Sequence, residues 1–256
     1  MNNEKISFLK VLPVGLMLFS FFFGAGNLIF PPILGQLAGE NISIATIGFC
    51  LSGVGFPLLG ILAMAIKHSD NPDDLAKPMH PLYARMITIL CALTIGPLFA
   101  IPRTAAVSFE TGILALLPDG SATIGLAIYS VIFFCITYYL SMNPSTIISY
   151  IGKIMSPLLL ICLGILIFCV ITNPLGNLQS ANEVYQAAPF FKGFQEGYNT
   201  MDLLAALLFG AITVKAIESQ GIKDHATLTR ICIYAGVIAA TFLAIIYSAL
   251  SYAGGV

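Results

Sequence analysis

The chain has 256 residues, 58% of them hydrophobic and only 9% charged, with a formal net charge of −1. Soluble domains carry about 25% charged residues, so most of this surface faces something other than water. No basic stripe or tail offers itself to nucleic acid, and the composition is that of an integral membrane protein.

In chain order, the first apolar stretch runs near 9–36. Lys5 and Lys10 precede it as they would a signal peptide, yet apolar character continues from Val11 to beyond Pro32. A signal core is only about 7–15 residues long, so an uncleaved helix is expected. Six further spans follow near 42–66, 83–117, 122–141, 147–172, 202–219 and 230–253, separated by polar connections at 67–81 and 173–200. The whole chain, 1–256, reads as one membrane domain, because no soluble tract interrupts the series.

The segment 83–117 would measure on the order of 50 Å as one helix, which suits either a single tilted crossing or two crossings split near Gly96-Pro97 or Ile101-Pro102-Arg103. A single crossing puts Lys5, Lys10, Lys67, Lys77, Arg85, Lys153, Lys223 and Arg230 on one side and only Lys192 in a connection on the other. Cytoplasmic loops carry the Lys/Arg excess, so one crossing and a cytoplasmic N-terminus are expected. Pro57, Pro97, Pro102 and Pro157 lie inside spans, where neighbouring helices re-satisfy freed carbonyls.

Two glycine-containing interruptions stand out: Phe23-Gly24-Ala25-Gly26-Asn27 in the first span and Phe209-Gly210-Ala211 in the sixth. Unwound backbone survives in a bilayer only where it lines a cavity, and interruptions at matching places in two repeats point to a transporter's binding site. If the helix unwinds at Gly24-Ala25-Gly26, the half-helix from Asn27 onward presents free N–H groups to an anion. The preceding half-helix, ending at Phe23, presents carbonyls to a small cation, and the Asn27 amide oxygen would complete the shell. Close helix packing is the competing use of such small residues.

Among the ionisable residues within or at the edge of spans, Arg103, Glu110, Lys215 and Glu218 are singled out as candidates. Arg103 and Glu110 are seven apart and share a helix face, as a pair or as the lining of a vestibule, so gating or structural charge is their expected role. Lys215 and Glu218 snorkel to the cytoplasmic interface. The six cysteines fall in apolar stretches without a CxxC pair, and His68, His80 and His225 fall in polar connections. No metal site and no organic cofactor is expected.

Two strings, Phe22-Phe23-Gly24-Ala25-Gly26-Asn27-Leu28-Ile29-Phe30-Pro31-Pro32 and Gly96-Pro97-Leu98-Phe99-Ala100-Ile101-Pro102-Arg103-Thr104-Ala105-Ala106, resemble the bacterial branched-chain amino acid:cation symporter family along the whole chain. The first also resembles the unwound first helix of sodium-coupled neurotransmitter-type symporters. The resemblance implies an all-α, polytopic, multi-pass protein of the cytoplasmic membrane, with a leucine-transporter-type inverted-repeat fold. It implies uptake of leucine, isoleucine and valine coupled to Na+ or H+. Gly24, Ala25 and Gly26 match the backbone that holds the substrate carboxylate, Phe23 and Asn27 the cation site, and Phe209, Gly210 and Ala211 a broken sixth helix. Family members carry roughly twelve spans, so the chain reads as truncated after about seven. Its second repeat is incomplete, and a separate C-terminal half is an expected partner besides substrate and lipid. The alternatives are a scaffold or sensor derived from such a carrier, or an amino acid symporter of other selectivity. An intramembrane enzyme lacks a nucleophile, base or metal cluster at one depth.

Overall fold

The computed structural model describes residues 8–118, 120–142, 154–174, 176–222 and 224–256, without the side chains of Leu9 and Lys10. Among these residues the regular structure is helical throughout, as expected where every backbone group must be satisfied within its own segment. Helix α1 (Phe8–Phe22) stops at an extended Gly24, and α2 (Ala25–Ala38) resumes directly after it. The turn Gly39–Asn41 leads into α3 (Ile42–Cys50), a five-residue π-turn at Leu51–Gly55, and α4 (Phe56–Lys67).

A short α5 (Asp73–Ala76) lies in the connection to α6 (Pro81–Leu93), which is followed by a π-turn at Thr94–Leu98 and by α7 (Ala100–Gly112). Gly96 leaves helical geometry there, at φ −80 and ψ −114, so the segment expected as one long crossing is one apolar unit with a sharp internal kink. Helices α8 (Ala122–Ser141) and α9 (Ser156–Thr172) follow.

The stretch expected as a polar connection from Asn173 to Thr200 contains α10 (Glu183–Ala187) and α11 (Pro189–Tyr198). Helix α11 is bent by 45° from α12 (Asp202–Glu218), and α13 (His225–Gly255) ends the chain's helices. The sixth span is therefore broken, but not where the sequence suggested. Phe209, Gly210 and Ala211 lie inside the continuous α12. Gly210 is small there because α4 runs against it: a Cβ would sit 3.0 Å from the Met64 side chain.

By length and composition Ala25–Lys67, Pro81–Leu116, Ala122–Ser141 and His225–Gly255 can cross a bilayer, and the bent pair α11–α12 makes a further span. The first of these reverses at Gly39–Asn41. Ser251 near the end of α13 meets Gly35 on α2, whereas Thr229 near its start meets Ala65 on α4. Helix α13 thus runs parallel to α1–α2 and antiparallel to α3–α4, and its buried face (Leu228, Ile231, Leu243, Tyr247, Leu250) is the spine of the core. Among the described residues α11 and α3 share the most extensive helix–helix contact, and α12 packs on α4. No residue of α8 is fully buried: one face leans on α7, where Tyr129 meets Phe109 and Ser108, and the rest of this 20-residue apolar helix is open to surroundings that must be apolar as well.

Outside the core, the histidines act on helix ends. His80 caps α6 by accepting from the Leu82 N–H, and His68 closes α4 in a left-handed conformation beside His225 at the start of α13. All six cysteines are free thiols.

Candidate functional site

The first break follows from two local choices. Gly24 is extended (φ −109, ψ −171), and Asn27, three residues on, folds back so that its Oδ1 accepts the Gly24 N–H at 3.3 Å. This is half of a capping box, with the amide in the role usually taken by Glu or Gln. The new half-helix starts at Ala25, two residues before the expected Asn27, and its first N–H groups have no intrahelical acceptor.

The second break is at Asn199-Thr200-Met201. Met201 adopts φ 66, unusual for a residue with a side chain. The buried Thr200 donates to the Gly197 carbonyl at 2.8 Å and accepts the Asp202 N–H at 3.4 Å, holding the turn in place. Two helix N-termini, those of α2 and α12, therefore converge.

Between them lies a polar centre buried among aromatic rings. Asn27 Nδ2 donates to Asp202 Oδ2 at 2.5 Å and also to the Tyr247 hydroxyl, while Tyr247 lies 3.4 Å from the same carboxylate oxygen. Asn27, Asp202 and Tyr247 are exposed by only 2%, 5% and 0%, so three helices distant in sequence are tied through one amide. Phe23 stacks beside the Tyr247 ring at 6.3 Å and Phe49 meets it edge-on at 5.2 Å, which fixes the phenol. Asp202 opens α12, where the positive end of the helix dipole favours a carboxylate.

A cavity of about 100 Å³ adjoins this centre. Its lining includes Gly24, Ala25, Gly26 and Asn27 from the first break, Thr200, Met201 and Asp202 from the second, and Arg103 and Thr104 from the start of α7. Phe21, Phe22, Ile95, Ala205 and Phe209 supply apolar walls. Arg103 reaches in over the Phe30 ring (5.2 Å) and the Phe99 ring (5.9 Å), and its Nη1 donates to the Asn199 carbonyl at 3.3 Å. A Cβ on Gly26 would fall 1.8 Å from the guanidinium, so glycine is what lets Arg103 lie against the first turn of α2.

The structure thus brings Gly24, Ala25, Gly26, Asn27, Arg103 and Phe209 to one cavity and leaves other expected residues away from it. Gly210 and Ala211 are buried in α12, outside the lining. Glu110 is exposed at the far end of α7, and no ion pair joins it to Arg103 among the described residues. Phe23 touches Tyr247 rather than the cavity. Sequence reasoning missed Thr200, Asp202 and Tyr247. Asp202 was legible as an acid abutting an apolar run, but a carboxylate at a span's first residue looks like an interfacial one.

Comparison with known proteins adds an independent line. A family model described as branched-chain amino acid transport protein matches residues 7–256. The branched-chain amino acid permease BrnQ of Bacillus subtilis is 44% identical over 252 residues, covering 98% of this chain and 57% of that protein. The permease BraB of the same organism is 46% identical over 241 residues, covering 94% of this chain and 54% of its own length. The branched-chain amino acid transport system 2 carrier protein of Pseudomonas aeruginosa is 43% identical over 244 residues, covering 95% and 55%. The chain thus spans a little over half the length of these relatives. No solved structure matches it significantly.

Proposed function

Because the chain belongs to the branched-chain amino acid transport protein family, we propose that it serves secondary uptake of leucine, isoleucine and valine across the cytoplasmic membrane, driven by Na+ or H+. The observation that carries this reading is the meeting of two interrupted helices at one cavity that holds a carboxylate and a guanidinium. In a leucine-transporter-type inverted repeat, α1–α2 would open the first repeat and α11–α12 the second. The rings of Phe21, Phe22 and Phe209 suit an aliphatic side chain, and ligand sites of this kind need only a few placed polar groups.

The substrate carboxylate would lie on the free N–H groups of Ala25 and Gly26. The coupling ion is a second substrate, for which the carbonyl end of α1 at Phe23 offers oxygen. Asn27 joins its shell only if the amide turns, since its oxygen is held by the Gly24 N–H.

Uptake of labelled leucine into vesicles containing this chain, under imposed Na+ or proton gradients, tests the reading. Accumulation that collapses with the gradient is expected, and leucine movement indifferent to both gradients would count against coupling. Gly24→Val supplies a site-directed version. A Cβ there meets no protein atom closer than Asn27 Oδ1 at 3.7 Å, so folding should be preserved. Leucine affinity should nevertheless fall about tenfold or more, equivalent to ~1.4 kcal/mol, and wild-type affinity would remove Gly24 from the site.

The orientation inferred from the Lys/Arg distribution puts the N-terminus and the 67–81 connection in the cytoplasm and 173–200 outside. Asp70 and Asn177 are exposed, whereas Asp73 is buried beside Arg85 and is a poor reporter. In a background without the native cysteines, Asn177→Cys should react with a membrane-impermeant maleimide from outside and Asp70→Cys only after permeabilisation. The reverse pattern would invert the topology.

A further inference from the structure

Two opposite formal charges line the cavity, Asp202 and Arg103, and among the described residues neither has an ion-pair partner within 4.0 Å. Asp202 is held by neutral donors only: the Asn27 amide and the Tyr247 hydroxyl both address Oδ2. A buried carboxylate positioned by hydrogen bonds, with its one nearby counter-charge, Arg103, beyond ion-pair distance, is costly unless a cation completes it. Arg103 has the complementary deficit. Its guanidinium is used once, on the Asn199 carbonyl, and rests on two rings, with its remaining donors beside the first turn of α2.

The α2 turn and Arg103 thus form a positive wall, Asp202 a negative one, and Phe21, Phe22 and Phe209 an apolar one. A ligand matching all three carries an ammonium and a carboxylate on one carbon together with an aliphatic group. That is the chemistry of a zwitterionic α-amino acid.

We propose that Asp202 and Arg103 act as a two-point clamp, in which the Asp202 carboxylate receives the ammonium of the substrate and Arg103, with the α2 N-terminus, receives its carboxylate. This rests on the transport reading above and assigns to Asp202 the recognition of the amine. Asn27 and Tyr247 are positioning residues, because they hold the carboxylate without contacting the ligand's ammonium. The clamp accounts for the placement of Asp202 as the first residue of α12: one turn later its carboxylate would leave the break that both charged groups share.

The test uses the full chain in lipid nanodiscs and three probes of similar shape: L-leucine, leucinol, which lacks the carboxylate, and 4-methylpentanoate, which lacks the ammonium. Wild type should bind leucine tightly and both analogues measurably but more weakly. Asp202→Asn keeps the size and hydrogen-bonding capacity of the side chain, and should weaken leucine at least about tenfold, as loss of a charged hydrogen-bond partner does. It should leave the affinity for 4-methylpentanoate unchanged or improved. Arg103→Gln should show the reciprocal pattern, losing leucine and retaining leucinol, and it carries the test if Asp202→Asn does not fold.

Equal losses for all three probes in both variants, or wild-type leucine affinity in Asp202→Asn, would overturn the clamp while leaving the carrier intact. No binding of leucine to wild type would overturn clamp and carrier together. Repeating the titrations with Na+ replaced by choline separates an amine site from an inorganic one. If Asp202→Asn abolishes only the Na+ dependence and spares leucine affinity, Asp202 holds the ion and the clamp is wrong.

Discussion

Asn27→Leu should lower the thermal stability of the protein in detergent and abolish leucine binding, with both effects larger than those of Tyr247→Phe. The Asn27 amide is the only group that bonds to both Asp202 and Tyr247 among the described residues, and it also accepts the Gly24 N–H that shapes the first break. Leucine has the same branched skeleton of four heavy atoms but is bulkier and offers no donor, so the carboxylate would stay buried with its strongest neutral partner gone. Leaving a buried acceptor short of a donor costs about 1–3 kcal/mol, and more for a charged group. Interhelical hydrogen bonds in bilayers average nearer ~0.6 kcal/mol, but that average describes neutral pairs whose members find other partners once separated. Asp202 is a carboxylate fixed where three helices meet, and the Asn27 amide is the donor nearest to it. Tyr247→Phe removes a single hydroxyl from the same centre and sets the lower reference. An Asn27→Leu protein that melts with the wild type and binds leucine would show that the polar centre is dispensable.

Gly193→Leu should part α3 from α11. A Cβ on Gly193 would lie 1.9 Å from the Ala45 carbonyl oxygen, and one on Gly48 would lie 2.1 Å from the Phe190 carbonyl oxygen. Both obstacles are backbone, which cannot swing aside as a long side chain can. The contact is sealed by Ser52, from the π-turn of the α3–α4 rod, donating to the Phe194 carbonyl at 2.6 Å. Overpacking a tight core typically costs about 1–3 kcal/mol, and here it also moves the element that leads into Asn199-Thr200-Met201. Loss of stability should therefore come with loss of leucine binding. Gly164→Ala is the matched control: nothing lies within 4 Å of its added Cβ, and replacing a helical glycine should be neutral or stabilising by up to ~1 kcal/mol. Similar melting of Gly193→Leu and Gly164→Ala would refute the close approach.

The first break was legible because its glycines have no other purpose at that point in an apolar run: Gly24 is an N-cap and Gly26 makes room for Arg103. The second was not, since it uses no glycine at the turn itself. It relies on a methionine at positive φ steadied by a threonine, and nothing in the residue types Asn199-Thr200-Met201 advertises that. Phe209-Gly210-Ala211 drew attention for the reason that makes Gly24-Ala25-Gly26 informative, yet its glycine serves contact with Met64. A small residue in a membrane helix reports close approach, and sequence does not say whether the visitor is a ligand or a neighbouring helix. The polarity of 173–200 misled in the same way. Helix α11 turns Gly193 and Gly197 toward α3 while keeping Lys192 and Glu196 as a half-buried ion pair at 2.7 Å, so averaged over its length it reads as a loop.

The polar centre is assembled from positions 27, 202 and 247, which gives the chain a timetable during synthesis. At about 5–20 residues per second, Asn27 leaves the ribosome roughly 10–35 s before Asp202, its partner 175 residues away. Asp202 then waits again for Tyr247, 45 residues further on. Through the first interval the amide has its own chain for company: Gly24 N–H, three residues back, occupies its oxygen without help from any later helix. The half capping box thus gives a nascent first span something to do with a group that would otherwise drag water or lipid headgroups into the bilayer. Asp202 has only Thr200 close by, so insertion of the sixth span is the step that most needs the first one already in place to receive it.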